Sequence, residues 1–191
     1  MTDALSFRET FKYQRRCLKE DYDLYLSKSE DDNVLGKILH ILTSHGFHAM
    51  IVFRIGKILY SFHIPIISPI LKAIYQILRF FFITFYGISL NPVSEIGPRF
   101  YVAHYGCIVV RGVFGKNCSI TQGVTVGSKG AGKTAGWPVF GDNVYIAAGA
   151  KVIGDVKIGN NVRIGANAVV ITDVPDNSVA VGVPAKIKPI L

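Results

Sequence analysis

Cysteine is scarce: only Cys17, Cys107 and Cys118 occur, and no two form a Cys-x-x-Cys pair. An odd count without that spacing reads as reduced thiols in a cytosolic protein, and a chain of 191 residues buries a core without a disulfide scaffold. The opening stretch MTDALSFRETFKYQRR lacks an apolar run with a cleavage site, so no secretory signal is expected. Blocks of like charge are also missing. Residues 1–86 carry eleven Lys/Arg against eight Asp/Glu, and residues 87–191 carry ten against five, so the net charge of +8 is spread over both halves. That surplus suits an anionic partner such as a phosphorylated cofactor, an acidic polymer or a lipid surface. Without a basic arm, and with the aromatics gathered in an apolar helical part, nucleic-acid binding is not expected.

What is present divides the chain in two. Residues 1–86 read as an N-terminal helical region, with apolar residues at three and four spacing in VLGKILHIL and PILKAIYQILRFFFITFYG, a break near His63-Ile64-Pro65, and Pro69 to open the last helix. Lys72 and Arg79 interrupt the last segment, leaving no uncharged run of the roughly 18 residues a spanning helix needs. Packing on neighbours or in an oligomer interface is the expected role of residues 64–86, with peripheral membrane contact the sharper one. His40, His45, His48 and His63 sit among these apolar residues and read as core or surface histidines.

From Gly87 onward the period is six. Leu90, Ile96, Val102, Ile108, Phe114, Ile120 and Val126 obey it, and Phe140, Ile146, Val152, Ile158, Ile164 and Val170 resume it after one interruption. A second apolar or small residue stands four later at Val124, Val144, Ala150, Val156, Val162, Ala168 and Val174. Neither a helix nor an ordinary strand has this period. A three-sided parallel β-helix does, with one hexapeptide per side and coils stacked roughly 4.8 Å apart, which makes residues 87–191 a mainly β domain.

These residues, and VFGDNVYIAAGAKVIGDVKIGNNVRIGANAVVITDVPDNSVAVGVPAKI above all, resemble the hexapeptide-repeat acyltransferases and their serine acetyltransferase-like branch. The resemblance implies a left-handed β-helix, a homotrimer or dimer of trimers with active sites between subunits, acetyl-CoA as co-substrate and no permanently bound cofactor. Left-handedness rests on the resemblance alone, because crossover rules favour the right-handed form. The β-helix part holds a single histidine, His104. Acyl transfer from a thioester to a hydroxyl needs a base of near-neutral pKa, and the resemblance puts the family's catalytic histidine at this position. For the donor it implies backbone contacts at Gly127, Ala148 and Ala166, an oxyanion donor near Gly127 or Ser128, Lys186 at the nucleotide end and Lys151 as a second phosphate contact.

Three positions depart from serine acetyltransferases. Ser89 stands where an aspartate orients the histidine, Ala103 where another aspartate precedes it, and Trp137 where a later histidine closes the acceptor loop. The resulting expectation is an O-acetyltransferase of acidic capsular or surface polysaccharide, with Tyr105 and Trp137 to stack on a sugar ring and Lys129 and Lys133 to meet its charge. A serine acetyltransferase is the alternative, and a non-catalytic β-helix scaffold the second. Glu95 is a further candidate for orienting His104. No metal site is expected, since one histidine does not supply a β-helix hydratase. GSKGAGKT, Gly127 to Thr134, fits G-x-x-x-x-G-K-[ST], but Gly136 and Pro138 oppose the helix a phosphate loop must open. It reads instead as part of an extruded loop at 127–138, a candidate lid, with Phe140 fourteen residues after Val126 in place of twelve.

Overall fold

The structure is a computed structural model that describes residues 6–65, 67–130 and 136–190; Lys133 falls outside them. Helix α1 (Phe7–Ser27) begins where Ser6 and Glu9 exchange hydrogen bonds between side chain and backbone, a reciprocal cap that satisfies the first free N–H groups. Asn33 caps α2 (Val34–Thr43) by accepting from the Gly36 N–H at 2.6 Å. Then follow α3 (His45–Tyr60) and α4 (Ile67–Tyr86), with α1 and α4 both packed on α3.

At Gly87, whose φ of 61° suits glycine, the chain leaves the last helix and starts a parallel solenoid of three sheets. The first sheet stacks β1 (Ile88–Leu90), β4 (Ile108–Val110), β7 (Thr125–Gly127), β10 (Lys151–Ile153) and β13 (Val169–Val170). The second stacks β2 (Glu95–Ile96), β5 (Val113–Phe114), β8 (Val139–Phe140) and β11 (Lys157–Ile158). The third stacks β3 (Tyr101–Val102), β6 (Ser119–Ile120), β9 (Tyr145–Ile146), β12 (Arg163–Ile164) and β14 (Ser178–Val181), and β15 (Lys186–Pro189) folds back antiparallel to close its edge. All thirteen residues of the six-residue ladder are buried, as are the seven that follow at four. The expected three-sided β-helix is what forms.

The pairing corrects the reading of the interruption. Phe140 pairs with Phe114 and Val126 with Val152, so Val126 and Phe140 are successive rungs on adjacent sheets. The spacing of fourteen therefore replaces six rather than twelve, and the chain between β7 and β8 carries eight extra residues. Beneath it the Phe114 and Phe140 rings stack 4.3 Å apart at an interplanar angle of 3°, so the core continues unbroken across the excursion. At the corner between the second and third sheets, Asn117, Asn143, Asn161 and Asn177 all take φ of 54–58°, which asparagine tolerates better than most residues. Each of the first three donates its side-chain amide to the carbonyl oxygen of the next, at 2.8–2.9 Å.

A solenoid's first coil exposes an unpaired strand edge, and the helices cover it. The Tyr25 hydroxyl accepts from the Val102 N–H at 2.8 Å and donates to the Val102 carbonyl at 3.3 Å, standing in for a neighbouring strand. The buried Arg54 guanidinium donates to the carbonyls of Ile96 and Gly97, each at 2.6 Å, and to Asp21 at 3.0 Å. Asp21 in turn accepts from the Phe100 N–H at 2.9 Å. Ala49, Met50 and Phe53 of α3 pack into the same apolar core as the solenoid ladder. On the outer side, α2 and α4 leave Leu35, Leu42, Ile77, Phe80 and Phe85 well exposed. By length and composition α4 is sufficient to cross a membrane despite Lys72 and Arg79, and no other single helix among the described residues is.

Candidate active site

His104 lies in the turn between β3 and β4, at the corner joining the third sheet to the first, and is exposed. Val102, two residues earlier, points into the core, and the backbone then turns outward, so the imidazole is presented to solvent. The side chain lies where two cavities meet. One, of about 600 Å³, spreads over the outer face of the third sheet and is lined among others by Lys28, Arg99, Tyr101, Thr121 and Arg163. The other, of about 230 Å³, lies between this turn and the α2–α3 junction.

The register brings several of the expected donor-side residues to the same corner. Val102, Ile120, Ile146 and Ile164 are aligned through successive coils, so His104, Gln122, Ala148 and Ala166 each stand two residues beyond an aligned rung. At ~4.8 Å per coil, Ala148 is roughly 10 Å and Ala166 roughly 14 Å along the column from His104. Lys151 turns back to this corner, its ammonium donating to the Gly123 carbonyl and to the Thr125 hydroxyl at 3.0 Å. Lys186 pairs with Val181 at the end of the same column. Gly127, Ser128, Lys129 and Trp137 lie elsewhere, at the corner between the first and second sheets. There the Lys129 side chain packs over Gly154, and the Arg111 guanidinium sits 3.6 Å above the Trp137 ring. None of these four lines a cavity beside His104 within one chain.

Ser89, in the middle of β1, makes no side-chain hydrogen bond to His104, and Ala103 lines both cavities without offering a polar group. Glu95 is on the second sheet, where its charge acts on Lys57, and it lines neither cavity beside His104. His40 and His45, half-buried on α2 and α3, line the smaller cavity together with His104. The His45 ring lies 4.7 Å from both Tyr105 and Tyr86, so it buttresses the turn that carries His104. No signal in the sequence links positions some sixty residues apart; only the α2–α3 bend brings them together. Cys118 is a buried rung neighbour whose thiol burial pushes up to about 11, so it packs rather than reacts.

The family model for the bacterial transferase hexapeptide (six repeats) matches residues 138–172. A serine acetyltransferase of Bacillus licheniformis is 37% identical over 174 residues, covering 90% of this chain and 76% of its own. The Neisseria gonorrhoeae serine acetyltransferase in complex with serine superposes with a TM-score of 0.75 at 30% identity, over 92% of this chain and 69% of that one. The Brucella abortus serine acetyltransferase in complex with coenzyme A gives 0.78 at 26% identity, over 95% and 73%. The solenoid thus has the left-handed β-helix fold of these acyltransferases.

These matches overturn the expectation of a polysaccharide acceptor. They run through the helical region as well as the solenoid, and every relative named above is a serine acetyltransferase. The aromatic rings invoked as sugar platforms are also engaged already, Tyr105 by His45 and Trp137 by Arg111. The chain is an acyltransferase and belongs to the serine acetyltransferase family of hexapeptide-repeat transferases.

Proposed function

We propose that the protein transfers an acetyl group from acetyl-CoA to the hydroxyl of L-serine, with His104 as general base. The observation that carries this reading is the position of His104: an exposed imidazole shared by two cavities, on the corner where Ala148 and Ala166 stand in later coils. Acetyl-CoA extends along that column, its pantetheine near Ala148 and Ala166 and its phosphates toward Lys151 and Lys186. The His104 imidazole takes the hydroxyl proton as the serine oxygen adds to the thioester carbonyl. Collapse of the tetrahedral adduct breaks the carbon–sulfur bond, and the imidazolium returns its proton to the departing thiolate. Both substrates meet in one groove, so no acyl-enzyme forms.

Gly127 and Ser128 lie one sheet-width from His104, so an oxyanion contact from them reaches a neighbouring subunit's histidine rather than their own. This favours a homotrimer with active sites between subunits, and makes Lys129, Lys133 and Trp137 parts of a loop closing over the next subunit's site. Residues 87–191 are then the catalytic domain, and residues 1–86 the helical region that covers its first coil and supplies His40 and His45 to the acceptor side.

The test follows release of free CoA thiol and the mass of the acceptor with acetyl-CoA and L-serine. His104→Ala is expected to lower kcat by about 10²–10⁴-fold while leaving the fold intact. Undiminished turnover in this variant removes His104 from the mechanism, and absence of acetylserine with the unaltered protein removes serine as acceptor.

A further inference from the structure

Helix α4 has its polarity inside out. Ile70, Ile74, Ile77, Phe80, Phe81 and Phe85 follow one another at three and four spacing, and each is 47–70% exposed. On an ideal helix they form a stripe about 140° wide and ~22 Å long, with Thr84 its only polar member. The two charged residues of the helix turn the other way. The Lys72 ammonium stands 5.4 Å from the centre of the Tyr60 ring on α3, and Arg79 lines a small cavity with Phe53 of α3 and Ile88 of β1. A helix on the surface of a water-soluble domain does the reverse, and a contiguous apolar stripe marks an interaction surface where scattered apolar residues do not. Helix α2 repeats the pattern: Leu35, Leu39 and Leu42 are 59–76% exposed, and none of its residues is buried.

The charge of this region has one sign. No aspartate or glutamate occurs between Asp32 and Glu95, whereas Lys37, Arg54, Lys57, Lys72 and Arg79 do. Arg54 is held by Asp21, but Lys37, Lys72 and Arg79 have no ion-pair partner among the described residues. An interfacial helix sinks its apolar face about 5–10 Å into the acyl boundary and is itself roughly 10 Å across, so residues opposite that face stand among the headgroups. Lys72 and Arg79 occupy that side of α4. A second copy pressed on the same surface sets unpaired cations against their own kind, whereas anionic headgroups neutralise them. Nor is α4 free to span a bilayer. Ser68 and Tyr75 are buried, the Gln76 amide donates to the Tyr60 hydroxyl at 2.7 Å, and Gly87 turns the chain directly into β1.

We infer that α4 docks the protein on an anionic lipid surface, lying in the plane of the interface with its isoleucine and phenylalanine stripe in the acyl boundary and the solenoid held in water. Docking brings the histidine turn to that surface, because Tyr86 at the end of α4 packs on His45, and His45 packs on Tyr105. The inference is independent of which acceptor is acetylated.

Sedimentation of the full chain with vesicles tests this. The protein is expected to pellet with vesicles of phosphatidylglycerol and phosphatidylcholine in equal parts, and to partition about tenfold less into phosphatidylcholine alone. Ile74→Glu/Ile77→Glu, at two exposed positions, is expected to lower partitioning about a hundredfold or more with far-ultraviolet dichroism unchanged. In a separate variant, Phe80→Trp, the added indole emission should move to the blue with the mixed vesicles and be quenched by brominated acyl chains. This second readout decides the matter if the double variant fails to fold. A protein that stays in the supernatant with both vesicles overturns the inference, as does a folded double variant that partitions undiminished, or emission of the Phe80→Trp variant that vesicles leave unmoved. Equal partitioning into both vesicles overturns the anionic assignment. If the unaltered protein ignores vesicles and light scattering finds the double variant in a smaller oligomer, the stripe is a contact between copies and the inference falls.

Discussion

His48 sits half-buried on α3, one turn from His45. Burial, and then the charge of His45, hold its imidazole below the usual histidine value of 6.5. The fold therefore favours the neutral ring, while the unfolded chain takes up a proton near 6.5. The contribution to stability is complete above that value and is lost as pH falls through the lower, folded value. Thermal unfolding followed from about pH 7.5 to about pH 5 should show a falling Tm, and His48→Gln should flatten that slope. A slope unchanged in the variant would assign the effect to other groups. At this scale the sequence is partly legible. His104 stands out because the solenoid holds no other histidine, whereas His40 and His45 look like ordinary residues of apolar helices. Their relation to His104 is a matter of how α2 bends into α3, and no local pattern encodes that.

Between helices and solenoid, a few polar side chains do the work of a missing strand. Arg54 is buried, and its donors meet Asp21, Gln14 and the carbonyls of Ile96 and Gly97. Replacing it by methionine keeps most of the stem but leaves two carbonyls without this donor and the buried Asp21 carboxylate without its counter-charge, held only by backbone N–H donation such as that of Phe100. Arg54→Met is expected to cost about 3–5 kcal/mol, because breaking a buried pair strands the remaining charge. Chemical denaturation monitored by circular dichroism measures it, and a cost below ~1 kcal/mol would mean that water replaces the guanidinium. The ladder itself was legible because a period of six has no rival among regular elements, and every rung it named is buried. The interruption was not, since fourteen residues lie close to two steps of six, and only strand pairing shows that one step was taken. Nor was the cap, because Asp21, Tyr25 and Arg54 are compatible with any exposed helix face until the first coil lies beneath them.

For the whole molecule, the helical region and the solenoid have one apolar core, with Met50 and Phe53 continuous with Val102 and Phe114. Unfolding should accordingly be a single transition by both far-ultraviolet dichroism and tyrosine fluorescence. Removing residues 1–86 uncovers the edges of β2 and β3, leaving the backbone groups of Ile96, Gly97, Phe100 and Val102 unpaired. The 87–191 fragment is expected to aggregate on size-exclusion chromatography, because exposed strand edges template pairing between chains. Recovery of a soluble fragment with native-like dichroism would show that the solenoid caps itself. The acceptor was misread at this scale: substitutions at Ser89, Ala103 and Trp137 were weighed singly, whereas similarity to serine acetyltransferases extends over nine-tenths of the chain.

The stacked phenylalanines beneath the excursion between β7 and β8 bear on how such a fold can diversify. Because Phe114 meets Phe140 as if nothing intervened, the coil is indifferent to how much chain leaves and returns at that corner. Lengthening a flexible loop costs only about 0.6 kcal/mol per doubling, far less than altering any rung would. The solenoid behaves here as a fixed frame with one adjustable fitting, and the fitting is the segment proposed to close over a neighbouring subunit's site. Changes in what the enzyme admits can thus accumulate by insertion and deletion at one corner, without disturbing the metre that holds the catalytic turn in place.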